Sequence, residues 1–432
     1  MKPTGRTTLL AFLTLALILA GLGFLRGGPI LALLPLLVYW GAALLAVPRK
    51  VRLKAVRELE QRQVKPGTSV RVRLIVKNEG APVEELRVQD TLPEGLVLTE
   101  GTPGLTATLG RGETLELEYR VEGKRGSYLF KSTQVQASDA FGLLRREATL
   151  DAPAELVVLP DLVRLRRAVW VRPLKTHGFA GPIPARLGGS GIDFFGLRDY
   201  QMGDPRRWIN WRVSARYDQG LFTNQFEQER IANIGLILDS REQIYISNEQ
   251  VSLFEYAVQA AASLADAFLS AGNRVSLFVY GYTLQRTFPG YGKVQLERIR
   301  HILAQARAGH NFALEQLDQL PTRFFPAQTQ LVLISPLREE DTPVLLRLRA
   351  RGYQLLVVSP DPVEFEHSLA ASQPNLELGY RYARAERRLL LNELGRMGIQ
   401  TVNWNVARPF DQAMEHFSHR VFSGAYWAGI EG

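Results

Sequence analysis

Two uncharged apolar runs open the chain, Thr8–Leu25 and Pro29–Val47, with only Arg26-Gly27-Gly28 between them. As helices rising about 1.5 Å per residue they would reach roughly 27–29 Å, close to the thickness of a bilayer core. The pattern predicts a transmembrane helical hairpin over residues 1–50. A cleaved signal peptide would explain Lys2 and Arg6 ahead of the first run, but it leaves the second run without a role. Arg49, Lys50, Arg52, Lys54 and Arg57 follow the second run, whereas the turn carries only Arg26. Basic flanks mark the cytoplasmic side. The expectation is an inner-membrane protein with two spanning helices, the lipid bilayer as one partner, and soluble domains facing the cytoplasm.

Over residues 51–160 the period changes to two. Val70, Val72, Leu74 and Val76 alternate with Arg71, Arg73, Ile75 and Lys77, and Asn78-Glu79-Gly80 ends the run. Leu86–Gln89, Leu96–Thr99, Thr106–Leu109, Thr114–Val121 and Tyr128–Val135 read as further strands, with Gly, Pro and Asn between them. Short strands separated by such turns, without a helical period, predict an all-β antiparallel sandwich of Ig-like type. Asp139-Ala140-Phe141-Gly142 lacks the adjacent Asp-Phe-Gly of kinases and reads as a turn.

Residues 231–432 alternate apolar strands with helical segments. Strands are expected at Ile234–Leu238, Val275–Tyr280, Gln330–Ile334, Gln354–Val358 and Gln400–Asn403. Helices are expected at Gln250–Ala271, Val294–Ala308, Ala313–Gln319, Thr342–Arg351, Ala385–Gly395 and Asp411–Phe417. Near-continuous apolar strands joined by helices predict a mostly parallel, doubly wound α/β sheet. Ligands of such sheets bind beyond the strand C-termini. That directs attention to Asp239-Ser240-Arg241-Glu242-Gln243, Gly309-His310-Asn311 and Ser335-Pro336-Leu337.

Composition narrows the chemistry. The chain has 432 residues, 46% apolar and 22% charged, and no cysteine. Thiolate metal sites, iron–sulfur centres, disulfides and a cysteine nucleophile are therefore excluded. The net charge is +9. Of this, +6 falls in residues 1–60, so the remainder is near neutral and no nucleic-acid face is expected.

The linking segment, residues 161–230, holds the densest side-chain chemistry. Arg186–Tyr217 interleaves Arg198, Arg206, Arg207, Arg212 and Arg216 with Asp193, Asp199 and Asp204, and with Phe194, Phe195, Tyr200, Trp208 and Trp211. Asp204 before Pro205 reads as a helix N-cap, which would place Trp208, Trp211 and Arg212 on one helical face. Arg198, Asp199, Tyr200, Asp204, Trp211, Arg212 and Arg216 are the candidate residues of an ion-paired, aromatic hub that is structural or binds a partner. Two rival readings, nucleic-acid stacking and a phosphate cradle at Gly188-Gly189-Ser190-Gly191, are weakened respectively by the nearby aspartates and by the mismatch to known phosphate-loop patterns. Ser190 is not a nucleophile elbow, because Ile192 stands where the second Gly is needed. His416 and His419 make at most half a metal site.

The Gly189…Arg216 segment, with Arg198-Asp199-Tyr200, Gly203-Asp204 and Ile209-Asn210-Trp211, resembles the bacterial domain-of-unknown-function family fifty-eight. So do Glu227, Glu229 and the strand ending at Asp239 downstream, and Arg125-Gly126-Ser127-Tyr128 upstream. The family's usual Asp before that Trp is Asn210 here. The resemblance implies a von Willebrand factor type A-like (Rossmann-like) terminal domain and association with a MoxR-type AAA+ ATPase. Type A domains often hold Mg²⁺ on a DxSxS turn. Here Asp239 and Ser240 remain, but Arg241 and Gln243 occupy the two serine positions, and Pro336 follows Ser335. A guanidinium at the metal position would repel or replace a cation, so a degenerate loop without metal is expected, and no cofactor. The expected function is a membrane-anchored, non-catalytic scaffold or adaptor for a protein partner. The rivals are a hydrolase-like enzyme with a site near Asp239 and an outward-facing adhesion or envelope protein.

Overall fold

The computed structural model describes residues 2–3, 5–23, 31–46, 52–138, 144–166, 183–216, 220–230, 232–248, 251–311, 325, 329–369 and 377–417. The chain divides into two compact units, Met1–Leu159 and Pro160–Gly432.

The apolar runs form α1 (Gly5–Gly23) and α2 (Leu33–Ala46). Among the described residues, no helix is long and apolar enough to cross a membrane. The physical reason is length. Gly5-Arg6-Thr7-Thr8 make the first turn of α1, which leaves Leu9–Gly23 as its apolar stretch, about 22 Å long. The 14 residues of α2 reach about 21 Å, against the ~30 Å of a bilayer core. The expected transmembrane hairpin, and the inner-membrane placement built on it, are thus overturned. The N-terminus instead contributes a strand, β1 (Lys2–Pro3).

The first unit is a two-sheet β-structure. One sheet follows the order β2 (Leu53–Leu59), β4 (Val70–Asn78), β8 (Thr114–Gly123), β6 (Leu96–Gly101). The other runs β1, β10 (Leu144–Val158), β9 (Gly126–Ser138), β5 (Val83–Asp90), β7 (Gly104–Leu109), and β3 (Gln63–Val64) pairs in parallel with β10. Alternation explains the packing. In β4 the valines and Leu74 are buried, while Arg71 and Lys77 face solvent. Val72, Leu74, Leu86, Val88, Val121 and Phe130 meet in one core.

Arg57 corrects a second expectation. It lies in β2 and is buried, rather than flanking a membrane. Its Nε donates to Asp90 Oδ2 at 3.2 Å, and Nη2 donates to Asp90 Oδ1 and, at 3.0 Å, to Thr133 Oγ1. Nη1 donates to the Ala152 carbonyl, and the guanidinium lies 4.8 Å from the Phe130 ring centroid. Tyr119 Oη donates to Asp90 Oδ2 at 2.7 Å. Burial, then the Asp90 charge, pushes the Tyr119 phenol well above its ordinary range.

The second unit begins with a two-stranded antiparallel ribbon, β11 (Ile183–Asp199) with β12 (Phe222–Arg230). A six-stranded sheet follows, in the order β15 (Gln285–Arg286), β14 (Arg274–Tyr280), β13 (Asn233–Asp239), β16 (Gln330–Ile334), β17 (Gln354–Pro360), β18 (Gln400–Trp404). Only β15 is antiparallel to its neighbour. Apolar cores cover both faces. Leu236, Leu238, Val332 and Ile334 pack in one, and Ile237, Leu331 and Leu333 in the other. That double burial is why these strands read as unbroken apolar runs. The helices are α3 (Trp211–Ser214), α4 (Leu253–Ser270), α5 (Gly292–Gln305), α6 (Thr342–Ala350), α7 (Pro362–Leu369), α8 (Glu377–Arg396) and α9 (410–417). The helix expected at Ala313–Gln319 lies outside the described residues.

Candidate functional site

The site lies where β13, β14 and β16 end. Asp239 is the last residue of β13 and is fully buried. Arg241, two residues on, folds back onto it. Its backbone N–H donates to Asp239 Oδ1 at 3.1 Å, Nε to both carboxylate oxygens at 3.0 and 3.1 Å, and Nη2 to Oδ2 at 2.7 Å. The far side of the guanidinium donates to Asp341 Oδ1 and Oδ2 at 3.1 and 3.0 Å. Ser335 Oγ donates to Asp239 Oδ2 at 2.8 Å. One buried cation thus bridges two buried carboxylates.

The loops around this bridge are tied to each other. Ser240 Oγ donates to the Tyr280 carbonyl and accepts from the Tyr282 N–H, each at 3.0 Å. Gly309 N–H donates to the Ser240 carbonyl, and Glu242 N–H to the Gly309 carbonyl. Asp341 Oδ2 also accepts from the Arg338 N–H at 2.9 Å. Burial alone would lower the Arg241 pKa, but the Asp239 and Asp341 carboxylates more than offset it, so the guanidinium stays charged. Burial raises the Asp239 carboxyl, and the Arg241 charge opposes that rise.

The arrangement fills the space that an oxygen-liganded cation would need. Asp239, Asp341 and the Ser335 hydroxyl are hard donors suited to Mg²⁺ or Ca²⁺, but all of them already hold Arg241 or each other. Among the described residues, no three His, Cys, Asp or Glu side chains converge. Both Asp239 oxygens accept several hydrogen bonds, which leaves the carboxylate poorly placed to act as a base. Gln243, named with this loop, is exposed, whereas Asp239, Ser240 and Arg241 are buried. Asp341 went unnoticed in the sequence because it follows Ser335 by six residues, after a loop in which Leu337 takes a positive φ of 62°.

Gly281 guards the same loop. Its φ is +135°, and a Cβ there would stand 2.4 Å from the Arg241 nitrogen and 2.6 Å from the Ser240 carbonyl carbon. Gly281→Ala is expected to cost at least ~1–3 kcal/mol through backbone strain and displacement of Arg241. Urea unfolding of the full chain tests this, and a variant as stable as the parent would show that the loop yields freely.

The hub residues of the ribbon are only partly brought together. Arg198 Nη2 donates to Asp204 Oδ1 at 2.6 Å, and Asp204 Oδ2 accepts from the Gln201 N–H at 3.0 Å. The Arg198 hydrogen bond, with that N–H, holds the Asp204 carboxyl below its ordinary range. Asp204 is therefore a partner for Arg198 and not the N-cap expected of it. Arg206–Trp208 form a separate 3₁₀ turn without side-chain capping. α3 is capped instead by Asn210, whose Oδ1 accepts from the Val213 N–H at 3.1 Å. Trp208, Trp211 and Arg212 do not share one helix. Trp211, Arg212 and Arg216 are exposed, and neither arginine makes an ion pair among the described residues. Asp199 is exposed and Tyr200 partly buried. Gly188–Gly191 lies within β11, not in a turn, where the register with β12 shifts between Gly189 and Phe194. His416 Nδ1 lies 2.8 Å from the Gln412 carbonyl, and His419 is outside the described residues.

Comparison with known proteins adds a family. A family model described as "Protein of unknown function DUF58" matches residues 196–367. The "Uncharacterized protein YeaD" of Bacillus subtilis is 27% identical over 265 residues, which cover 60% of this chain and 63% of that relative. The match thus spans less than two thirds of the relative's length. Among solved structures, the CARDB domain of a Pyrococcus furiosus protein in complex with di-metal ions is 17% identical, with a TM-score of 0.19 over 26% of this chain and 90% of that one. The sporulation control protein Spo0M of Bacillus subtilis is 13% identical, with a TM-score of 0.15 over 24% of this chain and 49% of that one. Likenesses at such scores carry no weight for fold or function. The family match is confined to residues 196–367, a span that takes in Arg198, Asp204 and the whole Asp239–Arg241–Asp341 bridge, and over that span the chain is similar to the family described as Protein of unknown function DUF58.

Proposed function

We propose that the chain is a non-catalytic adaptor whose α/β domain binds a protein partner, and that the partner is a MoxR-type AAA+ ATPase, the class implied by the family resemblance. One observation carries the protein-binding reading. The β15 edge of the sheet, the segment leading into α5 and the first turn of α5 present Tyr282, Leu284, Phe288, Tyr291 and Val294 to solvent, each between 43% and 73% exposed. Tyr282, Leu284, Arg286 and Phe288 alternate with less exposed neighbours, as expected where a strand turns one face outward. Arg286 sits 5.1 Å from the Phe288 ring centroid. Aromatic residues with arginine are the side chains enriched in the centres of protein interfaces. The internally closed Arg241 bridge supports the adaptor part, since Arg241 itself takes up the Asp239 and Asp341 oxygens and ties their loops together.

The test is biolayer interferometry with the full chain and a purified MoxR-type ATPase of the same organism. The parent chain is expected to bind, and Phe288→Ser with Tyr291→Ser is expected to weaken binding by at least about tenfold, roughly 1.4 kcal/mol. Undiminished binding by the double variant would move the interface elsewhere. Absence of binding to any such ATPase at micromolar concentration would remove the partner assignment.

A further inference from the structure

Three arginines are buried among the described residues, Arg57, Arg241 and Arg387. The first two lie directly against carboxylates. Arg387, on α8, does not. Its Nη1 donates to the Pro336 carbonyl, and its Nη2 donates to Ser359 Oγ at 2.5 Å and Asn403 Oδ1 at 3.1 Å. All three acceptors are neutral. Asp361 reaches the group only through Asn403, whose Nδ2 donates to Asp361 Oδ2 at 2.7 Å. The other Asp361 oxygen is spent on the N–H groups of Val363 and Glu364 at the start of α7. The Arg387 Nε–H is buried without a hydrogen-bond partner among the described residues. A buried cation lacking a direct counter-ion is costly, and burial lowers its pKa to about 10.

Arg387 lines a cleft of about 300 Å³ at the C-terminal ends of β17 and β18. Arg384, Arg388 and Arg408 line it too, against two acids, Asp361 and Glu364. Glu364 is engaged by the Tyr380 hydroxyl at 2.8 Å and by Arg384 at 3.6 Å. Arg384 and Arg388 are one helical repeat apart on α8, and Arg388 and Arg408 are exposed. The cleft therefore carries two guanidinium charges more than its carboxylates balance. It also lies at the carboxyl edge of the sheet, the edge on which open α/β sheets receive ligands, although two strands away from the β13/β16 point where the strand order reverses.

We propose that this cleft binds a phosphoryl dianion, free or as the ester of a small molecule, with Arg387 at its floor and Arg388 and Arg408 at its rim. A dianion balances both excess charges, whereas a monocarboxylate balances one. Guanidinium forks also pair with phosphate oxygens two at a time. The site is independent of the β15 edge and of the partner assigned to it.

Isothermal titration calorimetry of the full chain at low ionic strength tests the assignment, with inorganic phosphate, ribose 5-phosphate and acetate as probes. Saturable binding of phosphate or ribose 5-phosphate is expected, with acetate much weaker. Tighter binding of ribose 5-phosphate assigns the site to esters, and equal binding assigns it to the free anion. Arg388→Gln and Arg408→Gln, at exposed positions that leave the core intact, are each expected to weaken binding by about tenfold. Arg387→Met is expected to abolish it, with circular dichroism checking that the variant folds. No saturable binding at millimolar phosphate, equal affinity for acetate, or affinities unchanged in both glutamine variants would each overturn the proposal.

Discussion

Replacing Arg241 with alanine is expected to destabilise the α/β domain by about 3–5 kcal/mol, the scale on which removing one partner from a buried ion pair acts. The reason is the pair that it leaves behind. Asp239 and Asp341 are both buried, and the Arg241 guanidinium is the cation common to them. Without it, two carboxylates face each other in a low-dielectric site, and at least one must take up a proton or draw in water. The same variant opens a set of oxygen donors, since Asp239, Asp341 and Ser335 would now surround a space free of the side chain. Millimolar Mg²⁺ or Ca²⁺ should therefore return part of the lost stability to Arg241→Ala by binding the folded form, and should do nothing for the parent chain. Urea unfolding with and without the cation reads both effects. A variant within about 1 kcal/mol of the parent would mean that the bridge contributes little. Equal stabilisation of both proteins by the cation would place the ion elsewhere.

The legibility of this molecule followed what each residue's neighbours demand. The α/β strands could be read because burial on both sheet faces forces a continuous apolar run. Asn233–Asp239 is buried at every position, and the strand expected at Ile234–Leu238 falls inside it. β4 could be read because one face is buried and the other wet. β2 could not, because its charged residues stand where a membrane flank would put them, and only the fold reveals that Arg57 points inward. The apolar runs at the start misled for a related reason. Composition gives the length of an uncharged stretch, but not where the helix within it begins and ends. At the candidate site, Arg241 beside Asp239 was visible as a local pair, whereas Asp341 enters from a distant segment that no spacing rule links to Asp239. In the ribbon, Asp204-Pro205 has the form of a helix start, but the nearby Arg198 guanidinium takes the carboxylate, and Asn210 does the capping.

In the β-structure of the first unit, Asp90→Ala is expected to cost about 3–5 kcal/mol, comparable to the Arg241 change and for the same reason. Arg57 would stay buried with only the Thr133 hydroxyl, the Ala152 carbonyl and the Phe130 ring around it, and the Tyr119 hydroxyl would lose its acceptor. The two readings of Arg57 make opposite forecasts. An arginine exposed on a flank tolerates replacement within about 0.5 kcal/mol, whereas the buried pair makes Arg57→Met nearly as damaging as Asp90→Ala, because it strands the carboxylate. The combined variant Arg57→Met with Asp90→Asn separates pairing from packing. It removes both charges, and the Asn amide oxygen can still accept from Tyr119 or Thr133. Its cost should fall short of the sum of the single Arg57→Met and Asp90→Asn changes by about 1–3 kcal/mol, the coupling energy of residues in one network. Strict additivity in urea unfolding would mean that Arg57 and Asp90 act on the fold separately. The core built from Val72, Leu86 and Phe130 would then hold this unit together without the ion pair at its centre.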